Sequence, residues 1–177
     1  MKWRKYSAYM VDLLATGVGA IEGLSAHDKK MSIYHTYLFK EATWQVIGQY
    51  SDKNGITVEV DGESIITHES ALWLNKSVMR LHTEKGTEFE NVYKISPFKG
   101  SADTTSWTSM NNVLGRIKGQ FVVVNDSIIS LFQASDGIHK GTEYLLKMGD
   151  DRYLCRGALF KGIKRLSSWA VETRRQS

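Results

Sequence analysis

The sequence is short of the residues that lock or break a chain. It holds one cysteine, Cys155, so an intramolecular disulfide framework is excluded. It holds one proline, Pro97, against 15 glycines. That imbalance suits tight turns and closely paired strands, where proline would remove ladder donors. No apolar run approaches the roughly 20 residues that span a bilayer as a helix, so no membrane span is expected. Catalytic signatures are missing too. There is no Gly-x-Ser-x-Gly elbow, no His-Glu-x-x-His and no Gly-x-x-x-x-Gly-Lys phosphate loop. The stretch from Gly17 to Gly23 has one residue too many for a dinucleotide fingerprint and reads as a helix stop.

What is present describes one globular domain of 177 residues with 42% apolar and 24% charged residues. A chain of this size buries about 70% of the surface its unfolded form exposes. The net charge is +4, and its distribution is uneven. Residues 1–40 carry +3, residues 41–138 carry −4 and residues 139–177 carry +5. Lys161, Lys164, Arg165, Arg174 and Arg175 offer a basic C-terminal face for an acidic protein or a nucleic acid. A solvated edge strand explains the same lysines and arginines, so nucleic acid is not an expected partner. The N-terminus mimics a secretory leader through Lys2, Arg4 and Lys5, but Asp12 interrupts its apolar stretch. A cytoplasmic location is expected, with secretion left open. Asn75-Lys-Ser77 and Asn125-Asp-Ser127 match a glycosylation pattern and read as chance.

Residues 1–39 form a segment apart. Tyr6, Tyr9, Met10, Leu13 and Leu14 recur at helical spacing. Ser25 reads as the N-cap of a second helix that ends near Phe39. One or two N-terminal helices packed on the rest are therefore expected. From residue 40 to 177 the period is two. Asp52 to Gly55, Glu84 to Gly86, Asn125-Asp126, Gly149 to Asp151 and Lys161-Gly162 read as turns. Asp61-Gly62 reads as a two-residue hairpin. Residues 107–117 read as one weak strand, and residues 96–105 as the longest loop. The count is about eight to ten strands with hairpin-short links. The expected fold class is mainly β: an up-and-down antiparallel barrel, because closure removes both sheet edges.

Aromatic residues are spread through these strands, with polar residues among them. A packed core avoids buried unpaired polar groups, each of which costs about 1–3 kcal/mol. A ligand pocket mixes aromatics with a few polar groups. The candidate lining is Trp44, Trp73, Asn91, Tyr93, Trp107, Phe121, Phe132, Tyr144 and Trp169. Arg116 or Arg156 would pair with the carboxylate end of a ligand. Polar residues facing solvent explain the same pattern. The five histidines show no metal-ligand spacing, so no metal is expected, and Cys155 reads as a packed thiol.

The layout resembles the calycin superfamily of lipocalins, fatty-acid-binding proteins and their bacterial relatives. Lys40-Glu-Ala-Thr-Trp44 stands where the lipocalin Gly-x-Trp stands, with Ala42 in place of the glycine, and no Thr-Asp-Tyr motif occurs. Arg165 or Arg174 would then pack over Trp44. The resemblance covers about residues 40–173 and implies a divergent lipocalin-like barrel that binds a small hydrophobic or aromatic molecule, without a cofactor. An isomerase or lyase on the same barrel is the alternative. His82, Glu143 and Tyr93 would be its acid–base groups if they converge inside. A homodimer is left open.

Overall fold

The structure, a computed structural model, describes residues 35–100 and 102–177. Ten strands alternate inward and outward side chains: β1 (Ala42–Ser51), β2 (Thr57–His68), β3 (Trp73–Leu81), β4 (Glu88–Ile95), β5 (Thr104–Asn111), β6 (Gly115–Val124), β7 (Ser127–Ala134), β8 (His139–Gly149), β9 (Arg152–Lys161) and β10 (Lys164–Arg175). Each pairs antiparallel with the next, and β1 pairs with β10 to close the barrel. The domain is all-β among the described residues. No described helix is long and apolar enough to cross a membrane.

Several expectations from the sequence are corrected. No helix runs through residues 35–39; Tyr37 to Phe39 form a turn, closed by Lys40 N donating to Thr36 O at 3.0 Å. The expected first helix and the start of the second lie outside the described residues. Asp61-Gly62 is not a hairpin but lies inside β2. Gly62 is paired with Val46 and Met79 on the buried face, where a Cβ would strike the Val78 carbonyl at 2.1 Å. A glycine in a strand thus marks close backbone approach as readily as a turn. Residues 107–117 break at Asn112 to Leu114, because Asn111 Oδ1 accepts from the amides of Val113 and Leu114.

One end of the barrel is plugged by residues 35–39. Leu38 and His35 are fully buried. Leu38 sits at φ 69, a left-handed conformation costly for a side chain of this size. Its carbonyl accepts from His68 Nε2 at 2.7 Å. Tyr153 is the hub beneath. Its hydroxyl accepts from Thr36 N at 3.0 Å and lies 3.2 Å from His35 Nδ1. His35 Nε2 lies 3.0 Å from the Asn125 carbonyl, which only accepts. Nε2 therefore carries a proton and donates to that carbonyl, and in the neutral ring Nδ1 accepts from Tyr153. Burial holds the His35 pKa below the ordinary value, aided by Lys147, while the Asn125 bond and Asp126 act the other way. Trp44 completes this layer, edge-on to Tyr37 at 5.2 Å and to Tyr153 at 5.7 Å.

Candidate functional site

Strand register explains how the interior is lined. Phe121, Ser130, Glu143, Gly157, Trp169 and Tyr50 are successive partners across β6 to β10 and on to β1. Gly157 stands between Glu143 and Trp169. A Cβ there would meet the Trp169 ring at 2.2 Å, so the indole lies directly on the bare backbone. It reaches across β9, and its Nε1 donates to Glu143 Oε2 at 2.7 Å. The same device recurs where Trp107 covers Gly119 and Phe132 covers Gly141, each pair in register. Rings that cover glycines lie along the wall instead of filling the axis.

Burial differs along the barrel axis. Inward residues near the plug are closed off: Trp44, Ile66, Ile95, Ile128 and Tyr153 are at most 1% exposed. Farther from the plug burial is mixed: Tyr50, Met79, Phe89, Phe132, Glu143 and Trp169 keep partial exposure, whereas Val60, Leu81, Asn111, Ile117 and Ala134 are buried. Tyr37, Tyr93 and Glu143 are surrounded by protein yet partly solvent-accessible. The side chains of Tyr93 and Glu143 lie on the inward rows of the wall.

Besides Ser77 and the Asn91–Asn111 pair, the inward polar groups include two sets. Tyr37 Oη and Ser64 Oγ are 3.1 Å apart, Ser64 Oγ donates to Asn75 Oδ1 at 2.7 Å, and Asn75 Nδ2 donates back to Tyr37 Oη at 3.4 Å. That set is internally satisfied. The second is Glu143, held by Trp169 and by the Cys155 thiol. Burial raises the Glu143 pKa above the ordinary carboxylate value, and those two hydrogen bonds only partly oppose it. Burial likewise raises Tyr93 and Cys155, and a charge on Glu143 raises both further. Burial, Trp169 and Cys155 are what set the Glu143 pKa. Lys147, also on the inward row of β8, pairs at the plugged end with Asp150 at 2.7 Å.

The candidate lining divides accordingly. Asn91, Tyr93, Phe132 and Trp169 face inward and stay partly accessible. Trp107 and Phe121 are inward but buried, with Trp107 4.9 Å from Tyr93. Asn91 Oδ1 is engaged by Asn111 Nδ2 at 3.0 Å. Trp44 and Trp73 belong to the plug layer; Trp73 stacks on His68 at 4.2 Å. Arg116, Tyr144 and Arg156 point outward, on the opposite parity to the buried Ile117, Leu145 and Cys155. Neither arginine can meet a ligand carboxylate inside. Glu143, Met79 and Phe89 are lining residues absent from the candidate set. A glutamate opposite a glycine in register is the signal that points to Glu143.

Other expected groupings separate. His82 is exposed on the outer face and pairs with Asp61 at 2.6 Å, so His82, Glu143 and Tyr93 do not converge. Arg165 stands at the end of the barrel opposite Trp44, and Arg174 pairs outside with Glu172, so neither covers the tryptophan. Lys164 and Arg165 lie at one end of β10, beside Lys161 of β9, and Arg174 and Arg175 at the other, which splits the basic face. Among the described residues, no group of histidine, cysteine, aspartate or glutamate is placed to hold a metal.

No family model matches the sequence. No curated protein matches it. Among solved structures the chain is similar to other β-barrels. One is the structure titled EF1p2_mFAP2b bound to DFHBI, at 9% identity and a TM-score of 0.45, covering 83% of this chain and 99% of that one. Another is a de novo designed fluorescence-activating β-barrel, at 17% identity and a TM-score of 0.37, covering 80% and 96%. A third is the ywiB protein from Bacillus subtilis, at 13% identity and a TM-score of 0.30, covering 76% and 91%.

Proposed function

We propose that the protein binds a small hydrophobic or aromatic molecule inside the barrel, in the half away from residues 35–39. One observation carries this reading: Tyr93, Phe132 and Trp169 face inward and remain partly accessible within the closed wall. An apolar ligand entering there gains about 25 cal/mol for each Å² of apolar surface removed from water. Aromatic walls add ring-to-ring contacts. The polar set of Tyr37, Ser64 and Asn75 forms a floor that orients what sits above it. The reading is that of a carrier or sensor on a calycin-like barrel, and it needs no cofactor.

The test uses N-phenyl-1-naphthylamine, an uncharged dye that brightens in apolar surroundings. Emission should rise on titration with saturable stoichiometry and quench tryptophan fluorescence. Ser77 lies on the inward row between Ser64 and Asn91. Ser77→Phe adds a ring to the same space and should abolish the signal while thermal melting stays cooperative. A folded wild-type protein that leaves the dye dark would overturn the reading.

A further inference from the structure

Resting on that reading, we propose that Glu143 is the polar anchor of the interior and selects aromatic ligands that carry a cationic or hydrogen-bond-donating nitrogen. A carboxylate-bearing ligand is the wrong sign for this site.

The argument starts from the cost of the residue. A buried carboxyl without a basic partner is expensive, because low-dielectric surroundings disfavour its charged form. Glutamine would accept the same bond from Trp169 Nε1 at no such cost. Yet the chain places an acid here and commits a tryptophan and a side-chain-free position, Gly157, to orienting it. The inward basic residues nearest in sequence are elsewhere: Lys147 at the plugged end beside Asp150, and Lys161 exposed at the other rim. Arg156, the closest arginine on β9, stands on the outer face and donates to the carbonyls of Cys155 and Val171.

The geometry leaves room for the donor. Trp169 engages Oε2, and the carboxyl has further acceptor capacity through Oε1. The residue keeps partial solvent contact on the inward row of β8. Tyr93 and Trp107 form an aromatic corner, 4.9 Å between centroids and edge-on, on the interior wall. A cation beside such faces gains a further attraction from the ring quadrupoles. The described titratable groups facing Glu143 are Tyr37, Tyr93 and Cys155, all held neutral by burial. A bound ammonium favours the charged form of Glu143 against the burial that disfavours it, and amine binding should tighten as pH rises.

Three probes of one shape test this by calorimetry: 1-naphthylmethylamine, 1-naphthalenemethanol and 1-naphthoate. The expected order for wild-type protein is amine, then alcohol, then naphthoate, with amine over alcohol by tenfold or more. In Glu143→Gln the amine should lose that tenfold, while the alcohol binds as before. Equal binding of amine and alcohol, or a preference that survives Glu143→Gln, would overturn the inference and leave the pocket standing. Binding of none of the three would overturn both. A Glu143→Gln protein that melts no lower than wild type shows that lost amine binding is not lost folding.

Discussion

The plugged half of the barrel and the half away from it are built from the same strands but use their inward residues differently. Near the plug, Trp44, Tyr153, Leu38 and His35 fill the lumen, and the hydroxyl of Tyr153 ties the plug to the wall. Away from it, rings fold flat onto Gly119, Gly141 and Gly157, and some inward residues, Phe132, Glu143 and Trp169 among them, keep contact with solvent. One end is packed as a core, where close contact sets stability. In the proposed function the other half, with its aromatic residues and one acid, serves recognition. On that proposal, substitutions in the plug layer should act mainly on stability and those around Glu143 mainly on binding.

The largest effect is expected in the plug layer. Trp44→Ala should cost about 3–5 kcal/mol by leaving a cavity under Tyr37 and Tyr153, whereas Phe89→Ala in the accessible half should cost about 1–2 kcal/mol. Urea unfolding reads both, and equal losses would erase the distinction between the halves. Next comes Gly157→Ala. Its Cβ displaces the Trp169 ring, at an overpacking cost of about 1–3 kcal/mol, and it should also uncouple Trp169 from Glu143. Dye titration and the tryptophan emission maximum check this; an unchanged emission spectrum counts against the ring-on-glycine contact.

A pH effect follows from His35. Its folded pKa lies below the ordinary 6.5, so the unfolded chain takes up the proton first. The stability tied to neutral His35 is present above pH 6.5 and is lost as pH falls through the folded value. Urea midpoints from about pH 8 to about pH 5 should fall, and His35→Gln should flatten that slope. The smallest expected effect has the opposite sign. The Glu143 pKa is raised above 4.5, so ionisation favours the unfolded chain at neutral pH. Glu143→Gln should raise the melting temperature near neutral pH, with the gain shrinking as pH drops towards 4.5.

Much of the barrel wall was readable from the chain. Period-two alternation and short turns at Asp52, Glu84, Asn125, Gly149 and Lys161 place most strand boundaries, because a wall with one dry face writes its pattern at that period. The errors have specific causes. Asp61-Gly62 resembles a turn, but its glycine serves close packing inside β2. Tyr144 and Glu143 invert the usual rule: the aromatic faces out and the acid faces in. A one-residue change of parity moves a side chain to the other face, which is why Arg116 and Arg156 appeared as ligand anchors. Trp44 and Trp73 were found as interior aromatics, but nothing local says which end of a strand lies under a plug.

The lone cysteine, the lone proline and the alternation by themselves determine a β-rich chain without disulfide staples, whose turns fall between short apolar-faced strands. Those are local properties, since turn chemistry and side-chain parity depend on neighbours in sequence. The closure of β1 on β10, the plug seated on Tyr153 and the meeting of Glu143 with Trp169 across Gly157 belong to the tertiary structure alone. They join residues far apart along the chain, 26 positions for Glu143 and Trp169 and 117 for Thr36 and Tyr153. No local pattern records which distant side chains will share one interior.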